Sequence, residues 1–305
     1  MTVRINQAAP AGGSGRAYLL LVFTALCWGG NAVFGRMAVG EISPMALVTA
    51  RWLGVSVLLL LFAHRHLRRD WPVLRPHLLA VSILGILGFT AFNALFYVAA
   101  HYTTAVNIGI LQGSMPMIVL LGVFLAYRTP ITWLQAVGAA VTMTGVVIVG
   151  SGGSLERLAA LAVNFGDLLM LGACALYAGY TVALRKRPAS SALGLFAVMA
   201  FASFLASLPL VAVEVALGQF QWPTGKGMII VTLVTLFPSF LAQIFFIQGV
   251  TLIGPGRAGV FVNLVPVFAS ILAVFLLGEP FELYHAVALG LVLGGIGLSE
   301  RGKAA

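Results

Sequence analysis

Charged side chains are scarce in this chain: Asp, Glu, Lys and Arg make up 8% of its 305 residues, whereas 61% are hydrophobic. A soluble domain carries about 25% charged residues, so this composition cannot cover a water-facing surface. Acids are the rarest, with 8 Asp and Glu against 17 Lys and Arg. The basic residues lie in short segments between apolar runs, which favours membrane topology and argues against a nucleic-acid partner.

The sequence also lacks the motifs of several enzyme classes. It contains no G-x-x-x-x-G-K-[ST], H-E-x-x-H, C-x-x-C or G-x-S-x-G. The two cysteines, Cys27 and Cys174, lie within apolar runs and form no metal site by themselves. We therefore expect no enzyme activity, no ATP hydrolysis, no cofactor and no metal.

Apolar runs of about 20 residues fill most of the chain, and each can cross a hydrocarbon core of ~30 Å. The runs cover residues 18–37, 44–63, 77–98, 103–126, 131–150, 166–184, 192–216, 227–249, 257–277 and 283–299. Backbone in lipid must satisfy its own hydrogen bonds, so these runs predict an all-α polytopic membrane protein with ten transmembrane helices. The first run follows a polar tail, residues 1–17, and is too long for a cleaved signal peptide.

The distribution of basic residues predicts the orientation. With the N-terminus in the cytoplasm, 13 Lys and Arg fall on the cytoplasmic side and 3 on the other, while Arg51 lies inside the second helix. Cytoplasmic loops carry the excess of Lys and Arg in membrane proteins. Both termini are therefore expected in the cytoplasm, which requires an even number of helices.

An internal repeat appears at an offset of about 150 residues. The matched pairs include Pro116 with Pro266, Pro130 with Pro280, Asn93 with Gln243, and Trp28 with Tyr177. They predict two five-helix repeats, residues 18–150 and 166–300. An odd number of helices inverts the second repeat, an arrangement typical of secondary transporters with a midplane site at the repeat interface.

Polar and aromatic residues inside the helices are the candidate lining of that site, because polar groups in lipid face the protein interior or water. The candidates are Trp28, Asn31, Asn93, Tyr97, Tyr177, Tyr180, Gln243 and Phe246, with Phe89 and His101 extending the third-helix stripe. Amides and aromatic faces suit a zwitterion with an apolar side chain. The alternative is that these groups only hold helices together.

Three further residues have two interpretations each. Arg51 could pair with a substrate carboxylate, or it could snorkel outward or bind backbone carbonyls. Pro116 and Pro266 each remove a helical hydrogen bond, and are either hinges for alternating access or fixed kinks.

The glycine pairs of Gly109-x-x-x-Gly113 and Gly290-x-x-x-Gly294 permit close helix approach and indicate no particular oligomer.

Three segments resemble one family of carriers. The segment Leu26-Cys27-Trp28-Gly29-Gly30-Asn31, Arg51 in Ala50-Arg51-Trp52, and the segment from Gly256 to Pro280 resemble the EamA family of the drug/metabolite transporter superfamily. The first half has Arg128-Thr129-Pro130 where that family often has Gly-Glu, so its signature is degraded there. The nearest likeness is to YddG-type exporters of aromatic and neutral amino acids.

The resemblance implies ten helices in inverted halves around a central cavity, in the bacterial cytoplasmic (inner) membrane. It implies export of neutral amino acids or similar small metabolites; the same fold could instead export drugs, nucleosides or sugar derivatives. An intramembrane lipid-modifying enzyme is a remote alternative, since the helices lack a His, Asp or Glu cluster. The expected partners are a small-molecule substrate and membrane lipid, with the chain a monomer or weak homodimer.

Overall fold

A computed structural model of the chain describes residues 11–156 and 164–302. Regular structure within these ranges is entirely helical. Nine of the described helical stretches are long and apolar enough to cross a membrane. One of them, Pro44–Ala99, has 56 residues, more than twice the ~20 that a crossing needs.

We divide this stretch at a 3-10 turn, Arg75–His77, and number ten helices in chain order. The first half contains α1 (Ala11–Met37), α2 (Pro44–Leu74), α3 (78–99), α4 (Ala105–Tyr127) and α5 (Trp133–Gly150). The second half contains α6 (Phe165–Ala183), α7 (Ala192–Ala216), α8 (Gly225–Ile253), α9 (255–277) and α10 (Leu283–Arg301).

The all-helical prediction is confirmed, but two predicted non-helical segments are partly wrong. Residues 64–76, expected to connect two helices, are helical throughout. This segment has no glycine and is rich in Arg, which favours helix. The helix continues through Pro72 and changes to the 3-10 turn only at Arg75, directly before Pro76. In the predicted tail, residues 11–17 already belong to α1, while 1–10 lie outside the described residues, as do 157–163 of the predicted connection 151–165.

The main helix contacts are kept when α1–α5 are exchanged for α6–α10. Helix α1 packs on α8 and α9, and α6 packs correspondingly on α3 and α4. Helix α2 contacts α8 as α7 contacts α3. The remaining major contacts, α2 with α7, α4 with α9 and α5 with α10, each join a helix to its own counterpart.

Acids at helix ends show that α2 and α7 run antiparallel. Glu214, near the end of α7, accepts hydrogen bonds from the Ser43 hydroxyl at 2.6 Å and the Met45 N–H at 3.1 Å, at the start of α2. Asp70, near the end of α2, accepts from the Ser191 N–H at 2.7 Å and from the Ser191 hydroxyl, at the start of α7. Such carboxylates satisfy the free N–H groups of a helix start and complement its dipole.

Glycines allow the closest helix approaches. A Cβ on Gly138 of α5 would lie 2.4 Å from the Gly295 carbonyl oxygen of α10, and one on Gly109 of α4 would lie 2.3 Å from the Ala269 Cβ of α9. The first predicted glycine motif therefore does bring helices together. The second does not: around Gly290, as around Gly294, no described atom lies within 4 Å of the position a Cβ would occupy.

Candidate functional site

Four helices are interrupted near their middle. Helices α3 and α8 contain π-helical turns, Ile86–Ala91 and Thr235–Leu241, at matching positions of the two halves. Helix α4 breaks at residues 113–114, and α9 contains a 3-10 turn, Phe261–Leu264. π-helical turns occur frequently at functional sites, because they re-aim side chains and free backbone groups. The four interruptions border one central cavity.

The cavity has a volume of about 110 Å³. Its walls come from eight helices, with α5 and α10 outside the set. The lining residues are Trp28 and Asn31 of α1; Arg51 and Trp52 of α2; Gly88, Phe89, Phe92 and Asn93 of α3; Gln112, Gly113, Met115 and Pro116 of α4; Tyr177 of α6; Phe196 of α7; Pro238, Ser239 and Gln243 of α8; and Val262, Asn263 and Val265 of α9.

Arg51 is the centre of a buried hydrogen-bond network. Its Nη1 donates to the Asn31 Oδ1 at 3.0 Å, to the Asn93 Oδ1 at 2.9 Å and to the Tyr97 hydroxyl oxygen. The Tyr97 hydroxyl in turn donates to the Asn31 Oδ1 at 3.1 Å. The network ties α1, α2 and α3 together behind one wall of the cavity. Arg51 is 5% exposed, so neither outward snorkelling nor backbone-carbonyl binding describes it.

Aromatic rings form most of the remaining wall. The Trp52 and Phe89 rings stack with centroids 4.6 Å apart, and those of Phe92 and Tyr177 lie 5.3 Å apart. The Trp28 indole N–H donates to the freed carbonyl oxygen of Pro238 at 3.1 Å. Aromatic faces offer apolar contact and attract cations. A solute with an apolar body can therefore be packed on several sides.

The structure brings most of the predicted site residues to the cavity. Eight of them line it: Trp28, Asn31, Arg51, Phe89, Asn93, Pro116, Tyr177 and Gln243. The other predicted members, Tyr97, Tyr180, Phe246 and Pro266, lie outside this lining set. Tyr97 holds Arg51 from behind, Tyr180 packs closely over Gly88, and the Phe246 ring lies tilted against the Trp28 ring with centroids 5.3 Å apart.

The prolines lie at the start of new helical segments. Pro116 is in the first turn of Met115–Tyr127, and Pro266 is in the first turn of Val265–Leu272. A proline there leaves no hydrogen bond unmade, since the first N–H groups of a helix have no intrahelical partner. Pro116 and Pro266 thus each lie where a new helical segment begins. This position is compatible with both a hinge and a fixed kink.

Several cavity residues were missed by the sequence prediction. Trp52 and Phe196 were treated as ordinary apolar residues, because apolar side chains in an apolar helix carry no positional signal. Gln112 immediately precedes the break in α4, and Asn263 lies within the 3-10 turn of α9. Both are polar residues in apolar runs, so the criterion that selected Asn93 would also have selected them.

A second, polar pocket of about 570 Å³ lies among the ends of α1, α3 and α5 and the starts of α4 and α6. Asp167, 1% exposed, accepts from the Thr103 hydroxyl at 2.5 Å and from the Asn107 amide at 3.4 Å. The Asn107 Oδ1 lies 3.1 Å from the His285 Nε2. The His285 Nδ1 accepts the Glu282 N–H, so Nε2 carries the hydrogen and donates to Asn107.

His101 belongs to this second pocket and not to the central cavity, which corrects its assignment to the cavity stripe of α3. It lies two residues beyond the end of α3 and near Arg36. Burial, and then the positive charge of Arg36, lower the pKa of His101 below its ordinary value of 6.5. His101 is therefore neutral at pH 7.

Helices that cross a membrane several times around an internal cavity, walled by aromatic rings and amides, define a polytopic membrane protein with an internal site. The chain belongs to the EamA-like transporter family, whose model matches it twice, over residues 15–151 and 164–300. It is therefore a transporter of the drug/metabolite superfamily type.

Similar proteins carry the same general description. The chain is 27% identical over 282 residues to the uncharacterized transporter YetK of Bacillus subtilis, covering 92% of this chain and 85% of YetK. It is 26% identical over 299 residues to the uncharacterized inner membrane transporter YedA of Escherichia coli, covering 93% of this chain and 92% of YedA. One crystal structure matches with a TM-score of 0.61 and 18% identity, covering 95% of this chain and 99% of that chain, which shows a shared fold.

Proposed function

We propose that this protein is a secondary transporter that exports neutral or aromatic amino acids, or similar small metabolites, through the central cavity. The observation that carries the proposal is the cavity itself. It lies where four helices are interrupted, and it combines aromatic walls with the amides of Asn31, Asn93 and Gln243. Enclosed, mostly apolar sites with a few polar groups are typical of small-molecule binding. The family and the YedA relative support a multi-pass location in the bacterial inner membrane.

The proposed topology is ten crossings in two inverted halves, with both termini in the cytoplasm. The stretch Pro44–Ala99 is long enough for two crossings, and its middle carries basic residues that cannot remain in lipid. Helices α2 and α7 occupy corresponding places in the two halves and run antiparallel, as inversion requires. The Lys and Arg distribution favours cytoplasmic termini.

Alternating access is proposed to use the interruptions in α4 and α9. These helices pack on each other as counterparts, and each restarts next to the cavity at Pro116 or Pro266. Helices broken at the midplane are a common feature of carriers, in which one helix bundle rocks against the other around a fixed site. Tilting the outer segments of α4 and α9 in turn would open the cavity on one side at a time.

Counterflow in proteoliposomes tests the function. Vesicles loaded with one amino acid should take up a labelled one from a panel of neutral and aromatic amino acids, with nucleosides and sugar derivatives included as competitors. Trp28→Ala should change the selectivity, because the indole forms part of the wall. Trp133→Ala, at an exposed indole at the start of α5, is the matched control and should transport like wild type. Absence of saturable flux for every solute would refute the proposal.

A further inference from the structure

Arg51 carries a full positive charge into a cavity that provides no negative one. Among the described residues that line the cavity, Arg51 is the sole charged side chain. The ion pairs found in the described parts of the chain are Arg36 with Glu279, Arg69 with Asp70 and Lys226 with Glu41. Buried charges are nearly always paired, because desolvating an ion is costly. Three neutral oxygens around Arg51 offset only part of that cost.

The network also uses a single nitrogen of the guanidinium group. In the described part of the chain, the hydrogen bonds of Arg51 are all donated by Nη1, while its Nε is enclosed without an acceptor. The edge formed by Nε and Nη2 is thus left without an acceptor, and a carboxylate reaches its Nε once the side chains around that atom move aside. Two parallel N–H groups on a guanidinium edge match the two oxygens of a carboxylate, and such bidentate pairs are strong and geometrically specific. The neighbouring Trp52 likewise has an enclosed indole N–H without an acceptor.

We propose that Arg51 is the anion-binding residue of the central cavity and that the transported solute must bring a carboxylate to it. This inference rests on the proposed transport function and specifies its substrate class: small carboxylates with an apolar or aromatic body, amino acids included. In this proposal the ammonium group of an amino acid is dispensable, because no acid is found among the described residues that line the cavity. Asn31, Asn93 and Tyr97 position the guanidinium group by holding Nη1.

A purely structural Arg51 would only join α1, α2 and α3, and transport would then be indifferent to the charge of the solute. The two roles are separated most directly by changing the solute and leaving the protein intact. Wild-type protein is reconstituted, and counterflow is measured for L-phenylalanine, L-phenylalaninamide and 3-phenylpropionate. The amide lacks the carboxylate, and the propionate lacks the ammonium.

We expect phenylalanine and 3-phenylpropionate to be transported and to compete with each other. The amide should compete at least about tenfold less well, the loss expected for a charge-assisted hydrogen-bonded pair. An amide that competes as well as the amino acid, or exclusion of the propionate, would overturn the inference while leaving the transport function intact. Absence of flux for all three solutes would refute the transport proposal and the inference together.

Substitutions give an independent test. Arg51→Gln should remove the preference for acid over amide, and Arg51→Lys should retain part of it, because lysine keeps the charge but not the bidentate edge. Gln243→Leu is the control: it removes a neutral polar group from the same cavity and should weaken binding of acid and amide alike. A folded Arg51→Gln protein that still prefers the acid tenfold would overturn the inference. The solute comparison decides the question if that variant does not fold.

Discussion

The two halves of the chain agree at the helix ends and differ in charge near the centre. Asp70 caps the start of α7, and Glu214 caps the start of α2 in the same way. Helix α2 then carries Arg51 in the cavity wall, whereas α7 has no charged residue before Glu214. Contacts that both halves share hold the helices together. The differences place a charge on one side of the cavity.

A second difference lies at the starts of α4 and α9. Glu279 accepts the Ala105 and Val106 N–H groups, both at 2.9 Å, and so caps α4. The counterpart of Glu279 is Thr129, and α9 begins with Pro255, which has no N–H to cap. The first half therefore lacks the glutamate of the family signature at Thr129. The helix start that this residue would cap, the start of α9, has one N–H donor fewer than the start of α4. Among the described residues, the pair α4 and α9 is thus bridged by a carboxylate at the start of α4 and not at the start of α9.

The largest expected effect separates two matched glycines. Gly109→Leu should prevent folding, because a Cβ there already lies 2.3 Å from the Ala269 Cβ, and an overpacked contact between helices cannot relax. Gly259, at the same position in the second half, has no described atom within 4 Å of its Cβ site. Gly259→Leu should give a normal yield of monodisperse protein by size-exclusion chromatography. Equal yields of both variants would contradict the asymmetric packing.

The reciprocal caps should contribute equally. Asp70→Asn and Glu214→Gln should each lower the free energy of unfolding by about 1–2 kcal/mol, because each weakens charged hydrogen bonds at a helix start. The caps lie at opposite ends of a long helix, so the double variant should show the sum of both losses. Thermal unfolding in detergent measures the effect, with Glu156→Gln at an exposed acid as the control. Strongly unequal losses would contradict the equivalence of the two caps.

Glu279→Gln tests the carboxylate cap at the start of α4, which has no counterpart at the start of α9. The amide keeps one acceptor for the two N–H groups of α4, so we expect a loss of about 1 kcal/mol in stability. The reverse substitution in the other half, Thr129→Glu, should stabilise the protein less than Glu279 does, because Pro255 removes one of the two N–H donors that Glu279 has in α4. Both are read from melting temperatures measured side by side. A gain from Thr129→Glu similar to the loss from Glu279→Gln would show that the two ends are equivalent after all.

The smallest expected effect concerns pH. Burial and Arg36 lower the pKa of His101 in the folded state below 6.5, so the unfolded state binds this proton more readily. The contribution of neutral His101 to stability is therefore present above pH 6.5 and is lost as the pH falls below it. Between pH 7.5 and 5.5, wild type should lose more thermal stability than His101→Gln. Parallel curves for the two proteins would contradict this role of burial.

Much of the candidate site could be predicted from the sequence, because a polar residue in an apolar run has few places to go. Asn31, Asn93 and Gln243 were found on that basis, and so was Arg51. Trp52 and Phe196 could not be found, since an apolar residue is equally at home against lipid or in a cavity wall. The partners of Arg51 depend on the rotation of three helices about their axes, which hydropathy does not specify.

The amino-acid sequence by itself determined the helices and the membrane as solvent, because both follow from local composition and from the need of backbone groups for hydrogen bonds in lipid. Tertiary structure alone decided that α2 continues through residues 64–74, that Glu214 and Asp70 cap each other's helices, and that Arg51 has three neutral partners. These features join residues that are far apart in the chain. Their geometry depends on how the helices pack, and packing is a property of all the contacts together.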